Sequence, residues 1–304
     1  MSIVVGVDVG GSGLRCVVVR DDVRDGVRSA PGIRIGSGGV SLPALVETVR
    51  GFLPADERID ALTFAARSFT TLADPDEMLA AVVGLGAARS VLCADAVSSL
   101  VGALGAVRPG AVIAVGTGAI GFGTDFAGAH RRVDGWGHVL GDRGSAAWLG
   151  CETLRRLLVA VDLGHPTGAL LSAAQEHFGP VMAWSRQVMT RDDAPALLGA
   201  FAPRVTALVD EDPLAATLCA EAGGLLAATL LAASEPLPDD AVLSWTGGLL
   251  SSAAVREPFE AAVAAAGRRL TPPVGGSLDG AVLLAEAVAV GESPAAFAPY
   301  LMLG

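Results

Sequence analysis

The feature that most constrains the fold is a glycine-rich turn between two β-branched runs at residues 4–19, VVGVDVGGSGLRCVVV. β-Branched runs favour strands, and the turn Gly10-Gly11-Ser12-Gly13 lets the chain reverse tightly. The successive N–H groups of such a turn form a concavity for anions, phosphate above all. Asp8, just before the turn, is placed to hold a metal ion over that phosphate. The alternative is an ordinary hairpin with a solvated aspartate, and this stretch alone does not decide between the two.

A second unit of the same kind begins at Gly110. The apolar run 111–115 leads into the turn Gly116-Thr117-Gly118 and a returning run at 119–123. Gly116 lies 106 residues after Gly10. We therefore predict an internal duplication, with two similar α/β lobes facing each other across a cleft. Two anion-binding turns in equivalent places predict a polyphosphate held from both sides.

A carboxylate, Asp95, follows the apolar run 90–93 and precedes a small-residue helix predicted at 96–104. Phosphoryl transfer needs positioning, charge neutralisation and a carboxylate near the attacking hydroxyl. Asp95 at the end of a buried strand meets that need as a general base. The competing interpretation is an N-cap for the helix. We favour catalysis because of where Asp95 falls relative to the two hairpins.

Residues 134–145, DGWGHVLGDRGS, contain four glycines and two aspartates and therefore predict a structured loop. Ser145 is placed to cap the helix that follows, predicted at 146–161. Trp136 either stacks on a sugar face or anchors the loop to the core. His138 is assigned no metal or catalytic role. The chain is then predicted to be mostly helical up to about residue 235.

Near the C-terminus, a strand predicted at 241–245 runs into a third glycine turn, Gly247-Gly248, and a helix is predicted at 279–290. Residues 214–233 are apolar enough to suggest a membrane span, but Glu221 interrupts them, so a buried helix is the better interpretation.

Charge and composition restrict the partners. A net charge of −11 argues against nucleic acids and anionic membranes. All 21 basic residues are arginine, which excludes a P-loop lysine and Schiff-base chemistry. A bound nucleotide must then be neutralised largely by a metal ion and backbone donors. Four widely spaced cysteines and no signal peptide predict reduced thiols in a cytoplasmic protein.

Taken together, the three glycine turns, Asp95 and the loop resemble the N-acetylglucosamine kinase branch of the BadF/BadG/BcrA/BcrD ATPase family, within the actin, Hsp70 and sugar-kinase superfamily. The most specific piece is GWGHVLGDRGSAAWLG, residues 135–150. The resemblance implies a two-lobed actin-like (ribonuclease H-like) α/β fold with a central nucleotide cleft. We place the N-terminal lobe at 1–108 and the C-terminal lobe, with a helical insertion, at 109–284. The C-terminal helix, at about 285–304, is expected to pack back onto the first lobe.

The resemblance also implies a role for each matching residue. The phosphate loops would be Gly10, Gly11, Ser12 and Gly13, and then Gly116, Thr117 and Gly118, with Gly247 and Gly248 against the adenosine. Asp8 would hold Mg²⁺ through water, Asp95 would be the catalytic base, and Asp142, with Trp136 and Gly137, would contact the sugar. ATP and Mg²⁺ are thus the implied cofactors, a sugar the implied substrate and a homodimer the implied assembly.

The acceptor side departs from the family pattern. Val40 (or Ser41) and Ile120 stand where the family's N-acetylglucosamine kinases usually have asparagine, so amide hydrogen bonds to hydroxyls are lost. Arg143 replaces the usual glutamate; it would pair with the neighbouring aspartate, recognise an acidic group on the acceptor, or lie solvated. Residues 65–70, AARSFT, lack the usual small glycine turn.

Three functions follow. The leading one is an ATP-dependent phosphotransferase acting on a hydroxyl of an amino sugar or hexose, with N-acetylglucosamine or glucosamine foremost. The second is an ATP- and sugar-binding protein of the same fold with reduced or lost turnover. The third is an ATPase that activates a partner enzyme, which would need cysteines placed to share a cluster between subunits.

Overall fold

The computed structural model describes residues 2–10, 13–32, 42–67, 74–165, 168–292 and 294–304. Four residues singled out from the sequence, Gly11, Ser12, Val40 and Ser41, lie outside the described residues. The described strands form two separate sheets.

Eleven strands lie in the described part of the chain: β1 (Ile3–Val9), β2 (Leu14–Arg20), β3 (Val23–Arg24), β4 (Arg28–Ala30), β5 (Ala61–Ala66), β6 (Ser90–Ala94), β7 (Gly110–Val115), β8 (Ala119–Thr124), β9 (His130–Asp134), β10 (Val242–Thr246) and β11 (Leu301–Leu303). The α-helices of the same residues are α1 (Leu42–Arg50), α2 (Pro75–Val83), α3 (Asp95–Leu104), α4 (Ala146–Asp162), α5 (Ala169–Phe178), α6 (Trp184–Met189), α7 (Ala194–Gly199), α8 (Ala202–Ala207), α9 (Pro213–Ser234), α10 (Ala253–Ala265) and α11 (Ser277–Ala289). Short 3-10 helices lie at Val181–Ala183 and Gly248–Ser251.

The first sheet has the order β11-β6-β5-β1-β2-β3, with β4 also paired to β2. β1 and β2 form the antiparallel hairpin predicted from the opening sequence. β1, β5 and β6 run parallel, and their last residues are in register, Val9 beside Ala66 and Ala66 beside Ala94. The carboxyl ends of three buried strands therefore meet at one edge of the sheet.

The second sheet has the order β10-β7-β8-β9. β7 and β8 form an antiparallel hairpin, β9 extends it antiparallel to β8, and β10 lies parallel to β7. The same arrangement of a hairpin, a third antiparallel strand and a parallel neighbour occurs in β5-β1-β2-β3 of the first sheet. The predicted internal duplication is confirmed by this topology.

Two hydrophobic cores accompany the two sheets. The first includes Ala281, Val282 and Leu284 of α11, although this helix follows the second sheet in the chain. β11 then pairs antiparallel with β6 at the edge of the first sheet. The second core contains the helical segment from α4 to α10, with Trp184 and Phe201 fully buried.

Helices α3 and α11 cross in backbone contact. A Cβ atom on Gly102 would lie 1.9 Å from the Gly276 carbonyl oxygen, and one on Gly280 would lie 1.8 Å from that of Ser98. Only glycine permits so close an approach of two backbones. The crossing packs the first turn of α11 against α3 between Ser98 and Gly102.

Within the described residues, one helix, α9, is long and apolar enough to cross a membrane by length and composition. Its buried residues include Leu218, Leu226 and Leu230, which belong to the second core. This packing is that of a core helix, as predicted for residues 214–233.

Candidate active site

Three neighbouring strands of the first sheet each end at a candidate residue. Because β1, β5 and β6 end in register, Gly10, Arg67 and Asp95 leave the sheet side by side. The N–H of Arg67 donates to the Val9 carbonyl at 2.9 Å, which ties this residue to the end of β1. The carboxyl edge of parallel strands is where open α/β sheets bind their ligands.

The first glycine turn closes on itself. The Gly10 N–H donates to the Gly13 carbonyl at 2.9 Å. Among the described atoms, a Cβ on Gly10 would meet only the Gly13 carbonyl oxygen, at 3.7 Å. Among the described residues, the backbone of Gly10 therefore borders open space, as a phosphate-binding position requires.

Asp8, the predicted metal ligand, is buried and has two side-chain partners. Arg15 lies directly opposite Asp8 across the hairpin, and its Nε and Nη2 both donate to Asp8 Oδ2, Nε at 3.2 Å. The Ser277 hydroxyl donates to Asp8 Oδ1 at 2.7 Å. Asp8 is 5% exposed, whereas the Arg15 side chain is 53% exposed. The arginine is thus free to move into solvent, and the carboxylate is not.

The donor set at Asp8 fits magnesium that arrives with a nucleotide. In the described ranges, no group of three or more His, Cys, Asp or Glu side chains lies close enough to hold a metal ion. Mg²⁺ needs no such cage, since it commonly binds one or two carboxylates, waters and substrate phosphates. Asp8 offers hard carboxylate oxygens beside the first turn once Arg15 releases Oδ2.

Asp95 is the first residue of α3 and is half-buried. The N-cap is Ala94, without a side-chain capping bond, so the competing N-cap interpretation is wrong. Burial raises the pKa of Asp95 to about 6; Asp8 also raises it, while Arg67 and two backbone N–H groups lower it. A carboxyl group with this pKa is mostly ionised at neutral pH and still basic enough to accept a proton, as a general base must be.

Two serines that the sequence analysis missed connect Asp8 to Asp95. The Ser98 hydroxyl lies 3.0 Å from the Asp95 carbonyl oxygen and 2.7 Å from the hydroxyl of Ser277, which donates to Asp8. The serines belong to the two helix N-termini that the glycine crossing holds together. No sequence signal links residues 179 positions apart.

The second glycine turn docks on the N-terminus of α4. Its closure repeats the first, because the Gly116 N–H donates to the Gly118 carbonyl at 2.8 Å. The N–H groups of Ala146 and Ala147 donate to the Gly116 and Thr117 carbonyls, each at 3.1 Å. Across the described residues, no protein acceptor takes the N–H of Thr117 or Gly118. The turn therefore presents backbone donors to its surroundings, as an anion site does.

The third turn, Gly247-Gly248, lies against the end of β7. Gly247 has φ +108°, and a Cβ there would lie 1.8 Å from the Val115 carbonyl oxygen. Both the left-handed backbone and the close contact require glycine. Gly247 and Gly248 are exposed and adjoin the strand end that leads into Gly116. This position beside the second turn suits the adenosine contact that the resemblance implies.

A buried aspartate to which the sequence analysis gave no role organises the loop after β9. Asp134 accepts the N–H groups of Asp142 at 2.7 Å and Arg143 at 2.9 Å, and also the Arg143 Nε at 3.2 Å. The left-handed positions of the segment are filled by residues that tolerate positive φ: Asp134, Gly135, Gly137, Asp142 and Gly144. The Ser145 hydroxyl accepts the Trp148 N–H at 3.1 Å, which confirms the predicted cap of α4.

Asp142, the predicted sugar ligand, lies against the second glycine turn. A Cβ on Gly118 would be 2.6 Å from Asp142 Oδ2, and the Gly137 N–H donates to Asp142 Oδ1 at 3.3 Å. Burial raises the pKa of Asp142, and Arg67 is the largest influence that lowers it. The same guanidinium lowers the pKa of Asp95, so Arg67 acts electrostatically on a carboxylate beside each of the two sheets.

Two interpretations of the loop are corrected. Arg143 does not pair with Asp142 but with Asp134, and its side chain is 52% exposed. Trp136 does not anchor the loop to the core; it is 62% exposed, with the Arg132 guanidinium 4.1 Å above its ring. One face of the indole is thus covered by an arginine, and only the other face remains for a sugar.

Ile120 packs beneath the loop. It lies on β8 opposite Asp134 of β9, and a Cβ on Gly135 would be 2.9 Å from its Cδ1. The apolar side chain offers no hydrogen bond to an acceptor at this position. The side of the site predicted to bind the acceptor therefore has an apolar side chain at Ile120, where the resemblance implies an amide.

Comparisons with known proteins agree on the architecture. A sequence model of the BadF/BadG/BcrA/BcrD ATPase family matches residues 5–285. A solved structure described as a candidate N-acetylglucosamine kinase from Chromobacterium violaceum is 27% identical, covers 93% of this chain and 98% of its own, and has a TM-score of 0.72. One with the same description from Porphyromonas gingivalis is 19% identical, with coverages of 96% and 99% and a TM-score of 0.71.

A ROK hexokinase from Thermus thermophilus is 16% identical, with coverages of 95% and 99% and a TM-score of 0.55. The Porphyromonas and Thermus structures support the fold alone. Among curated proteins, none matches the chain. The fold is the two-lobed α/β fold of the actin-like ATPases and sugar kinases, as predicted.

Proposed function

Because the chain belongs to the BadF/BadG/BcrA/BcrD ATPase family, we propose that it is an ATP-dependent sugar kinase. It transfers the γ-phosphoryl group to a hydroxyl of an amino sugar or hexose. The observation that carries this proposal is the position of Asp95, which follows a strand end in register with the strand ends that lead into Gly10 and Arg67. A carboxylate beside a turn that binds phosphate is the arrangement that phosphoryl transfer to a hydroxyl needs.

The proposed mechanism assigns each group one task. The two glycine turns donate N–H groups to the phosphates, and Gly247-Gly248 receives the adenosine. Asp142 accepts a hydrogen bond from the acceptor and orients it. Asp95 takes the proton of the attacking hydroxyl as its oxygen bonds to the γ-phosphorus and the bond to ADP breaks. Mg²⁺ held by Asp8 would neutralise phosphate charge.

N-acetylglucosamine and glucosamine are the acceptors we place first. The 27%-identical structure from Chromobacterium violaceum, described as a candidate N-acetylglucosamine kinase, supports this choice. Ile120 weakens it, because the expected amide is missing there, so other hexoses and acidic sugars belong in any screen. We also place the protein in the cytoplasm, where ATP is supplied.

A second candidate, a nucleotide- and sugar-binding protein with little or no turnover, is favoured by one specific observation. The Arg15 guanidinium occupies Oδ2 of Asp8, the oxygen that a metal ion would use. No comparable observation favours the third function, an ATPase that activates a partner enzyme and shares a cysteine-bound cluster between subunits. Three of the four cysteines are buried, and burial raises the pKa of Cys16 and Cys219 to about 11, so they are poor cluster ligands.

The test is a coupled ADP-release screen with MgATP over hexoses, amino sugars, N-acetylated sugars and acidic sugars. We expect turnover with at least one acceptor, and a loss of about 10²–10⁴-fold in kcat for Asp95→Ala. The control is Asp210→Asn, which removes the same negative charge at an exposed position of the helical segment. Acceptor-independent nucleotide binding with no turnover of any sugar would favour the second candidate.

A further inference from the structure

Arg67 is a cleft residue to which the mechanism above gives no task. It directly follows β5, between the residues that follow β1 and β6, so it stands between the first glycine turn and Asp95. Its N–H is bonded to the Val9 carbonyl at 2.9 Å, and the residue is half-buried. The backbone position of Arg67 is therefore fixed, midway between the residues that follow β1 and β6.

The guanidinium of Arg67 has no carboxylate partner of its own. Every aspartate and glutamate of the chain lies in the described ranges, and none of them forms an ion pair with Arg67 within 4.0 Å. Two other arginines of the site are paired with carboxylates, Arg15 with Asp8 and Arg143 with Asp134. A half-buried arginine that lacks a carboxylate partner is suited to bind an incoming anion, because its planar fork matches phosphate oxygens.

The charge of the site also calls for a cation at this point. The chain contains no lysine, so arginine must supply any side-chain cation. Arg67 is the basic side chain that acts on Asp95, whose charge would otherwise repel the phosphoryl oxygens. A cation beside the base allows a hydroxyl, a carboxylate and a phosphoryl group to approach one another.

We propose that Arg67 is a catalytic residue that binds the oxygens of the phosphoryl group during its transfer. This inference rests on the proposed function. In the step, the acceptor oxygen forms a bond to the γ-phosphorus, and the bond from that phosphorus to the bridging oxygen breaks. ADP leaves with the electron pair, and the hydroxyl proton moves to Asp95. Arg67 stays protonated and stabilises charge on the equatorial oxygens, which is worth most in the transition state.

The position favours the phosphoryl group over an acidic acceptor as the partner of Arg67. The reacting phosphorus must lie within reach of both the first turn and the hydroxyl at Asp95, and Arg67 stands between them. The body of the acceptor lies towards Asp142 and its loop, on the second lobe. The alternative, in which Arg67 binds an acidic group of the acceptor, is therefore tested against the proposal.

The experiment compares Arg67→Gln and Arg67→Lys with the wild type and with Arg191→Gln. Arg191 is exposed and pairs with Asp193 on the helical segment, so its change matches the charge without touching the site. We expect Arg67→Gln to lower kcat by about 10³-fold with little change in the KM for ATP, as for arginines that assist phosphoryl transfer. Arg67→Lys should recover part of the loss, because it keeps the charge but not the fork.

Calorimetry supplies a readout other than activity. Arg67→Gln should bind MgADP as the wild type does, which also shows that it is folded, but should lose the added affinity for MgADP with aluminium fluoride and acceptor. The acid limb of its pH–rate profile should also move to higher pH, because Arg67 lowers the pKa of Asp95.

The proposal is overturned by wild-type kcat and analogue affinity in Arg67→Gln, or by a loss confined to the KM of acidic acceptors. The proposal is also overturned if Arg67→Gln weakens the binding of MgADP and of the aluminium fluoride complex equally. A further contrary result is an Arg67→Gln variant that does not fold together with an Arg67→Lys variant that behaves as wild type. Failure of the proposed function looks different: the wild type then turns over no sugar at all. Analogue binding by wild type and Arg67→Gln still decides the role of Arg67 in that case.

Discussion

The two glycine hairpins have the same topology and present different chemistry to the cleft. The first places Asp8 opposite Arg15, and the neighbouring strand ends carry Arg67 and Asp95. The second has a turn whose carbonyls are bonded to the start of α4, and its parallel neighbour contributes only Gly247-Gly248. The strand ends beside the first hairpin carry charged side chains, whereas those beside the second carry glycines, and the carboxylate at the second turn, Asp142, comes from the loop after β9.

This difference indicates which part of the proposed reaction each hairpin serves. Under the proposed function, each turn binds phosphate through backbone N–H groups, without side-chain chemistry. The proposed proton acceptor, Asp95, and Arg67 both follow strand ends of the first sheet, so we expect changes there to affect turnover. Changes at the second should affect nucleotide binding.

Gly247→Ala is expected to lower both the stability of the fold and the affinity for nucleotide. The new Cβ would overlap the Val115 carbonyl, 1.8 Å away, and the backbone φ of +108° strains any residue with a Cβ. Overpacking of this kind costs about 1–3 kcal/mol, so we expect a lower melting temperature and a Kd for ATP raised by about tenfold or more. Gly224→Ala, in helix α9 with open space at its Cβ, is the control. Unchanged ATP binding in Gly247→Ala would remove this turn from the nucleotide site.

Asp142→Asn should separate acceptor binding from nucleotide binding. Hydrogen bonds to charged groups contribute about 1.5–3 kcal/mol, so the KM for the sugar should rise by about 10–100-fold. The Kd for ATP should stay as in the wild type, because Asp142 contacts the turn without supplying a donor. Steady-state kinetics and calorimetry measure the two quantities. A changed ATP affinity with an unchanged sugar KM would contradict the assignment.

The pH dependence should follow Asp95. Its pKa is raised to about 6 by burial, so the ionised fraction, and with it kcat/KM, falls as pH drops below 6. Between pH 7 and pH 5 the decrease should be about tenfold. Wild-type kcat/KM measured over this range at constant ionic strength checks the prediction. A flat profile across the range would exclude Asp95 as the group that must be ionised.

The smallest effect is expected for Arg15→Gln. If Asp8 holds Mg²⁺ as proposed, its ion pair with Arg15 competes with the metal, and a half-exposed ion pair contributes about 0.2–1 kcal/mol. Its loss should lower the Mg²⁺ concentration for half-maximal nucleotide binding by up to about fivefold. A titration with Mg²⁺ at fixed nucleotide measures this change, with Arg191→Gln as control. A higher Mg²⁺ requirement would mean that Arg15 assists binding of the nucleotide and does not compete with the metal.

Local patterns predicted the elements that carry the site. The β-branched runs and glycine turns gave both hairpins, and Ser145 was correctly placed as the cap of α4. β9 was missed, because its sequence HRRVD has none of the apolar run that marked the other strands. β11 was also missed, since three residues at the chain end form a strand only by pairing with β6.

Partners distant in sequence could not be predicted. Ser277 reaches Asp8 across 269 positions only because α11 packs on the first lobe through the glycine crossing with α3. The sequence analysis assigned no role to Asp134. Its role depends on hydrogen bonds from the N–H groups of Asp142 and Arg143, eight and nine residues later, which no sequence pattern predicts. In the sequence, Arg67 is part of residues 65–70, which depart from the family pattern. Its position between Gly10 and Asp95 follows from the sheet register, which local patterns do not predict.

The most direct test of the account is to measure MgATP binding and phosphoryl transfer together in Asp95→Asn. Calorimetry should give a Kd for MgATP within a few-fold of the wild type, because both glycine turns are intact. Single-turnover transfer to the best acceptor should fall by about 10²-fold or more, since the amide cannot take the hydroxyl proton. Near-normal transfer, or a loss of ATP binding as large as the loss of transfer, would contradict the account.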